Sequence, residues 1–165
     1  MSRARSRFSL AALLALMAAV ALAGCASQPS PLPEIAAPAV VPTLPPAFPP
    51  AEFVGRWGHA AYHRPDDRAR TEIAARGQCK QPYVIGAGPS GGVIMHLADQ
   101  PQPQELQLKG HPNGKTYIGP DGEPAGAQDR EVVSFDGRVF TTRWVDPEVA
   151  TRYGTGIYVR CPPRA

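Results

Sequence analysis

The sequence predicts a small, mainly β domain: an antiparallel barrel or sandwich with one or two short helices, stapled by a disulfide. Three observations lead there. Eight short runs of β-type residues follow one another closely within residues 51–165, separated by Gly, Pro and Asp turn signals. Only two stretches carry helix start and stop signals, and both are short. Of three cysteines, one lies in the N-terminal segment, which leaves Cys79 and Cys161 as a pair inside the domain.

Each element has its own warrant. Residues 51–58, with Phe53, Val54 and Trp57, read as a first strand. Pro65-Asp66-Asp67 opens a polar helix over residues 65–76, with proline in the first turn and Gly77 as its stop. Its apolar content is thin (Ala69, Ile73, Ala74), which predicts a surface helix. Strand-like runs follow at residues 82–85, 92–97, 105–109 and 115–118. Alternation puts Val93, Met95 and Leu97 on one face, and likewise Leu106 and Leu108. Residues 131–135 and 138–144 form a hairpin about Asp136-Gly137, a pair suited to the positive φ angles of a tight turn. Asp146-Pro147 reads as a cap and first residue of a one- or two-turn helix ended by Gly154. Residues 156–161 make the last strand.

Ahead of the domain lie two segments of different character. Residues 1–24 form an export signal, with Arg3, Arg5 and Arg7 before an apolar run from Phe8 to Leu22 and the small pair Ala23-Gly24. The chain has 17 Lys+Arg against 14 Asp+Glu, and removing the three signal arginines leaves 14 against 14. A neutral mature protein exerts no general pull on nucleic acid, so a nucleic-acid partner is not expected. Residues 25–50 carry nine prolines, which deny the backbone its donors and favour polyproline II. Such a stretch predicts a semi-rigid tether, with the folded domain beginning at residue 51. In an oxidising compartment Cys79 and Cys161 are expected to bond to each other.

Leu22-Ala23-Gly24-Cys25 resembles the bacterial lipobox. That resemblance implies cleavage before Cys25, lipidation of its thiol and acylation (palmitate) of the new amino terminus. Ala26 is not the aspartate that commonly retains such proteins at the inner membrane, so the resemblance implies an outer-membrane anchor with the domain facing the periplasm.

Several motifs invite chemical readings. Gly86-Ala87-Gly88-Pro89-Ser90-Gly91 matches a dinucleotide fingerprint, and Glu105 stands near the spacing of its ribose-binding acid. The fingerprint needs a helix at its third glycine, whereas Gly92-Val93-Ile94-Met95 is β-type, which predicts a glycine-rich hairpin loop and no cofactor. Gly88-Pro89-Ser90-Gly91-Gly92 is formally a nucleophile elbow, with His96, Asp99 and His111 downstream, but it lacks the same helix. Pro65 separates His59 and His63 from any shared helix face with Asp66 and Asp67, so no metal is expected. Asp121, Glu123, Asp129 and Glu131 do not match a calcium loop and read as a solvated turn region.

Gly55-Arg56-Trp57 near the start of a small β domain is similar to the G-x-W opening of lipocalins, and to the small periplasmic barrels that inhibit metalloproteases. The lipocalin resemblance implies that Trp57 closes one barrel end beneath a basic residue of the last strand, here Arg160. The wide spacing of Cys79 and Cys161 departs from the short-range disulfide of the inhibitors. The expectation is a non-enzymatic, lipid-anchored envelope protein presenting a binding or interaction domain to an envelope protein. The alternatives are a calycin-like carrier of a small apolar ligand, with Trp57, Trp144 and Tyr158 as candidate ligand contacts, and a periplasmic protease inhibitor. Cys25→Ser is expected to move the protein from the membrane pellet to the soluble fraction after a salt wash. Retention in the pellet would refute the lipid anchor.

Overall fold

In the computed structural model, which describes residues 42–163, each of the eight β-type runs overlaps a strand. The strands are β1 (Gly55–Tyr62), β2 (Tyr83–Ala87), β3 (Val93–His96), β4 (Pro103–Gly110), β5 (Thr116–Gly119), β6 (Arg130–Phe135), β7 (Val139–Trp144) and β8 (Thr155–Arg160). They form a closed barrel in sequence order, every neighbouring pair antiparallel. Closure runs from Trp57↔Arg160 to Tyr62↔Thr155 between β1 and β8. Cys25 and the signal lie outside the described residues, as does the tether up to residue 41.

The first strand differs from expectation. It begins at Gly55 and continues to Tyr62, while Pro50–Glu52 is a 3-10 turn. Two consecutive prolines cannot feed a hydrogen-bonded ladder, and Pro50 sits at the first position of the turn. The tether boundary moves as well. Leu44 exchanges two 2.8 Å backbone hydrogen bonds with Gly110, and the Ala47 amide donates to Thr116 Oγ1 at 3.0 Å. Residues 44–48 therefore pack on the barrel, because Leu44 and Ala47 keep the N–H groups their proline neighbours lack.

The first helix, α1 (Arg68–Gly77), follows a 3-10 turn at Pro65–Asp67 and lies on the outer face of β1 and β8. The α-helix ends at Gly77 as expected, but without a left-handed cap: φ there is −61°, and the chain runs on into a 3-10 turn at Gln78–Lys80. The residue facing the sheet is Ala75, buried with Ile157 and Val159, while Ile73 is 71% exposed. Gly58 permits this contact. A Cβ at that position would lie 1.9 Å from the Ala75 carbonyl oxygen. Beyond the helix, Cys79 is bonded to Cys161, with Cα atoms 5.5 Å apart and 82 positions apart in sequence. Closing so long a loop contributes about 4–5 kcal/mol in the chain-entropy model. The second helix, α2 (Pro147–Tyr153), matches expectation closely. The Asp146 carboxylate accepts from the Glu148 and Val149 amides, and Gly154 ends the helix at φ 68°.

The inward-facing side chains fill one half of the barrel interior and leave the other open. At the filled end stands an aromatic plug. Phe53 stacks on Phe135 (centroids 4.8 Å apart), and Phe140 meets both Phe53 and Trp57 edge-on. Phe48 adds a further ring against Phe135 at 5.1 Å. Trp57 is fully buried, and its indole N–H donates to the Phe53 carbonyl at 2.7 Å. The Arg160 guanidinium lies 4.2 Å over the indole and donates to the Gly137, Val54 and Glu52 carbonyls. This end is sealed.

On the outer face of β4, Lys109 is buried and paired with Asp129 at 2.7 Å. Its ammonium also donates to the Pro120 and Glu123 carbonyls, and the second Asp129 oxygen accepts from the Gly126 amide. The pair thus ties the β5–β6 loop over the barrel wall. Sequence placed Asp129 among solvated turn carboxylates, yet it is 1% exposed. Removing one member of such a pair strands a buried charge, so Asp129→Ala is expected to cost about 3–5 kcal/mol. Asp121→Ala, on the exposed part of the same loop, should stay within about 0.5 kcal/mol. Urea unfolding of the two variants checks the contrast.

Candidate functional site

The opposite end of the barrel is empty. There the C-terminal ends of β1, β3 and β7 and the N-terminal ends of β2, β6 and β8 surround a cavity of about 520 Å³. His59 and Ala61 share the inward face with Trp57, two and four residues along β1, yet both are exposed. Inward-facing side chains reachable from outside mean that the interior here is hollow. The size lies in the range of small-molecule pockets.

Aromatic residues make the floor and walls. Tyr158 stacks flat on Phe140 (centroids 4.2 Å, planes 3° apart), so the plug's upper surface is the cavity floor. His59 stacks on Tyr158 at 4.4 Å. Tyr83 stands beside both, its hydroxyl accepting from the His96 amide at 2.9 Å and lying 3.3 Å from the His96 Nδ1. Burial and the neighbouring Tyr158 push the Tyr83 phenol up, so it stays protonated at neutral pH.

One charge projects into this space. Arg130 pairs across the sheet with Ile118 and Trp144, which places it on the inner face of β6. It is 4% exposed. Its guanidinium lies 4.3 Å over the Trp144 ring, with Nη1 3.5 Å from the Tyr158 hydroxyl and Nη2 donating to the His96 carbonyl. The rim is clasped above it. Asp99, held at φ 57°, accepts from the Tyr153 hydroxyl and pairs with Arg152 at 3.1 Å, joining the β3–β4 loop to α2.

The residues singled out from sequence separate cleanly. Trp144 and Tyr158 line the cavity, while Trp57 lies at the sealed end beneath Arg160 and does not. Cys79 and Cys161 are on the outer wall, and Cys25 lies outside the described residues. The glycine-rich segment is the β2–β3 hairpin loop, in which the Glu105 carboxylate accepts from the Ser90 and Gly92 amides at 2.9 Å each. Ser90 precedes β3 at one end and His96 ends it at the other, with the four-residue strand between them, about 13 Å long. Ser90, His96 and Asp99 are thus not brought together. The Asp67 carboxylate is engaged by Arg64 and Arg70 on the surface, apart from His59 inside the barrel.

Sequence reasoning passed over Arg130, Tyr83 and the cavity role of His59. A signal for Arg130 exists: it shares the inward alternation with Val132, as a cation on an otherwise apolar face.

The cavity's field shows at His59. Although His59 is reachable from the open end, desolvation by the barrel wall around it and, second, the positive charge of Arg130 lower its pKa from 6.5 to about 4. Because the unfolded chain binds the extra proton first, this histidine costs stability as pH falls from about 6.5 towards 4. His59 is therefore expected to stay neutral at pH 6, with an NMR titration midpoint well below the ordinary 6.5. Arg130→Met should raise that midpoint by removing the repulsion, while the part due to burial remains.

No protein-family model, curated protein or solved structure compared with this chain matches it.

Proposed function

We propose that the domain is a calycin-like binding protein that holds a small, largely apolar molecule in the open end of its barrel. The proposal includes a lipid anchor at Cys25 in the outer membrane and a periplasmic domain. The observation that carries it is the half-empty interior: an aromatic-lined cavity of about 520 Å³ above a sealed floor, in a barrel otherwise well packed. A barrel serving only as a docking surface has no need of a hollow. Exposed large apolar side chains among the described residues (Leu44, Ile73, Val84, Val133, Tyr153) lie on five different segments and point to no single docking face. The Trp57–Arg160 closure supports the likeness to lipocalins, because it seals one barrel end as that resemblance implies. No step of catalysis is part of this reading.

The test is native mass spectrometry of the full chain after export and gentle purification. A reproducible added mass that vanishes on denaturation is expected and would identify the cargo class. A clean apo mass, together with a failure of small apolar compounds to perturb Trp144, would overturn the carrier reading and return the search to an envelope protein partner.

A further inference from the structure

Resting on that carrier reading, we infer that the cavity selects ligands bearing an anionic head group, a carboxylate above all, with Arg130 as the anchoring residue. The argument begins with an imbalance. Among the described residues two basic side chains are almost wholly buried, Lys109 and Arg130. Lys109 is matched by Asp129 at 2.7 Å, whereas Arg130 makes no ion pair among the described residues. Its hydrogen bonds go to a carbonyl and a distant hydroxyl, and its Nε has no partner. A buried charge is ordinarily paired, because solvent no longer offsets it.

The nearest acid on the cavity wall does not fill this role. The Asp99 carboxylate is committed to Arg152 and Tyr153 at the rim. His59 brings no competing charge, since it is neutral at ordinary pH. The cavity thus presents one cation surrounded by aromatic surface. That arrangement complements an amphiphile with one anionic group and an apolar or aromatic body. The Trp144 face beneath it and the His96 carbonyl hold the guanidinium in place, which preorganises it for an acceptor such as carboxylate.

A matched series on one scaffold tests this in the purified full chain: 2-naphthoate, 2-naphthylmethanol and 2-naphthylmethylammonium. The readout is the indole N–H NMR signals, with Trp144 in the cavity wall and Trp57 at the sealed end as internal reference. Naphthoate is expected to shift Trp144, leave Trp57 in place, and bind about tenfold or more tightly than the alcohol, with the ammonium weakest. Arg130→Met should abolish the preference for the acid, and Arg130→Lys should keep part of it. Equal binding of acid and alcohol by the wild-type chain would overturn the anionic selectivity while leaving the carrier reading intact. No response of Trp144 to any of the three at millimolar concentration would overturn both. The wild-type comparison decides the matter even if the Arg130→Met chain does not fold.

Discussion

Closure of the sheet between β1 and β8 is the constraint on which the rest of this structure depends. Six residue pairs join the first strand to the last, and they bring Trp57 directly opposite Arg160. The outer face of the same seam carries Ala60, Tyr62, Ile157 and Val159, over which α1 lies. The disulfide then fastens the chain beyond that helix to the residue after β8. Seam, helix and bridge form one unit: the seam removes the two edges an open sheet would expose, the helix covers its outer face, and the bridge ties the helix end to it.

The seam also determines where the interior is filled. Large rings crowd the end that contains the start of β1 and the end of β8. Four phenylalanines and a tryptophan complete that packing, with a guanidinium over the indole. Two and four residues further along β1 the inward positions are His59 and Ala61, too small to fill a barrel of this girth. The cavity follows from that change of side-chain volume along a single strand. The hollow here comes from omission: closure by backbone hydrogen bonds holds the walls apart where side chains do not.

Two buried cations show how charge is handled in a domain of this size. Lys109 receives a carboxylate and two carbonyls, and the result is structural, a loop held to the wall. Arg130 receives an aromatic face and a carbonyl, and the result is a site with unspent electrostatic capacity. The difference lies in the acids. Asp129 reaches Lys109 across the outer wall, whereas Asp99, the acid on the cavity lining, is engaged by Arg152 and Tyr153 of α2.

Much of the architecture was legible in the residues because its determinants are local. Alternation in Val93/Met95 and Leu106/Leu108, the Asp136-Gly137 turn and the Asp146-Pro147 cap each act over a few positions. The eight runs, their turns and the cysteine pair therefore determined by themselves a small, disulfide-stapled β domain. Less local features were not legible. The starts of β1 and of the folded domain depend on which proline-flanked amides find partners, and Leu44 finds its partner 66 positions away. Burial of Asp129 likewise depends on what the fold sets beside it. Only the tertiary structure decided that Trp57 seals the barrel while Trp144 and Tyr158 line a cavity, and that Arg130 stands buried between the last two. Strand alternation assigns a side chain to a face, but barrel closure and strand stagger decide which end of the interior it occupies and whether anything fills the space beside it.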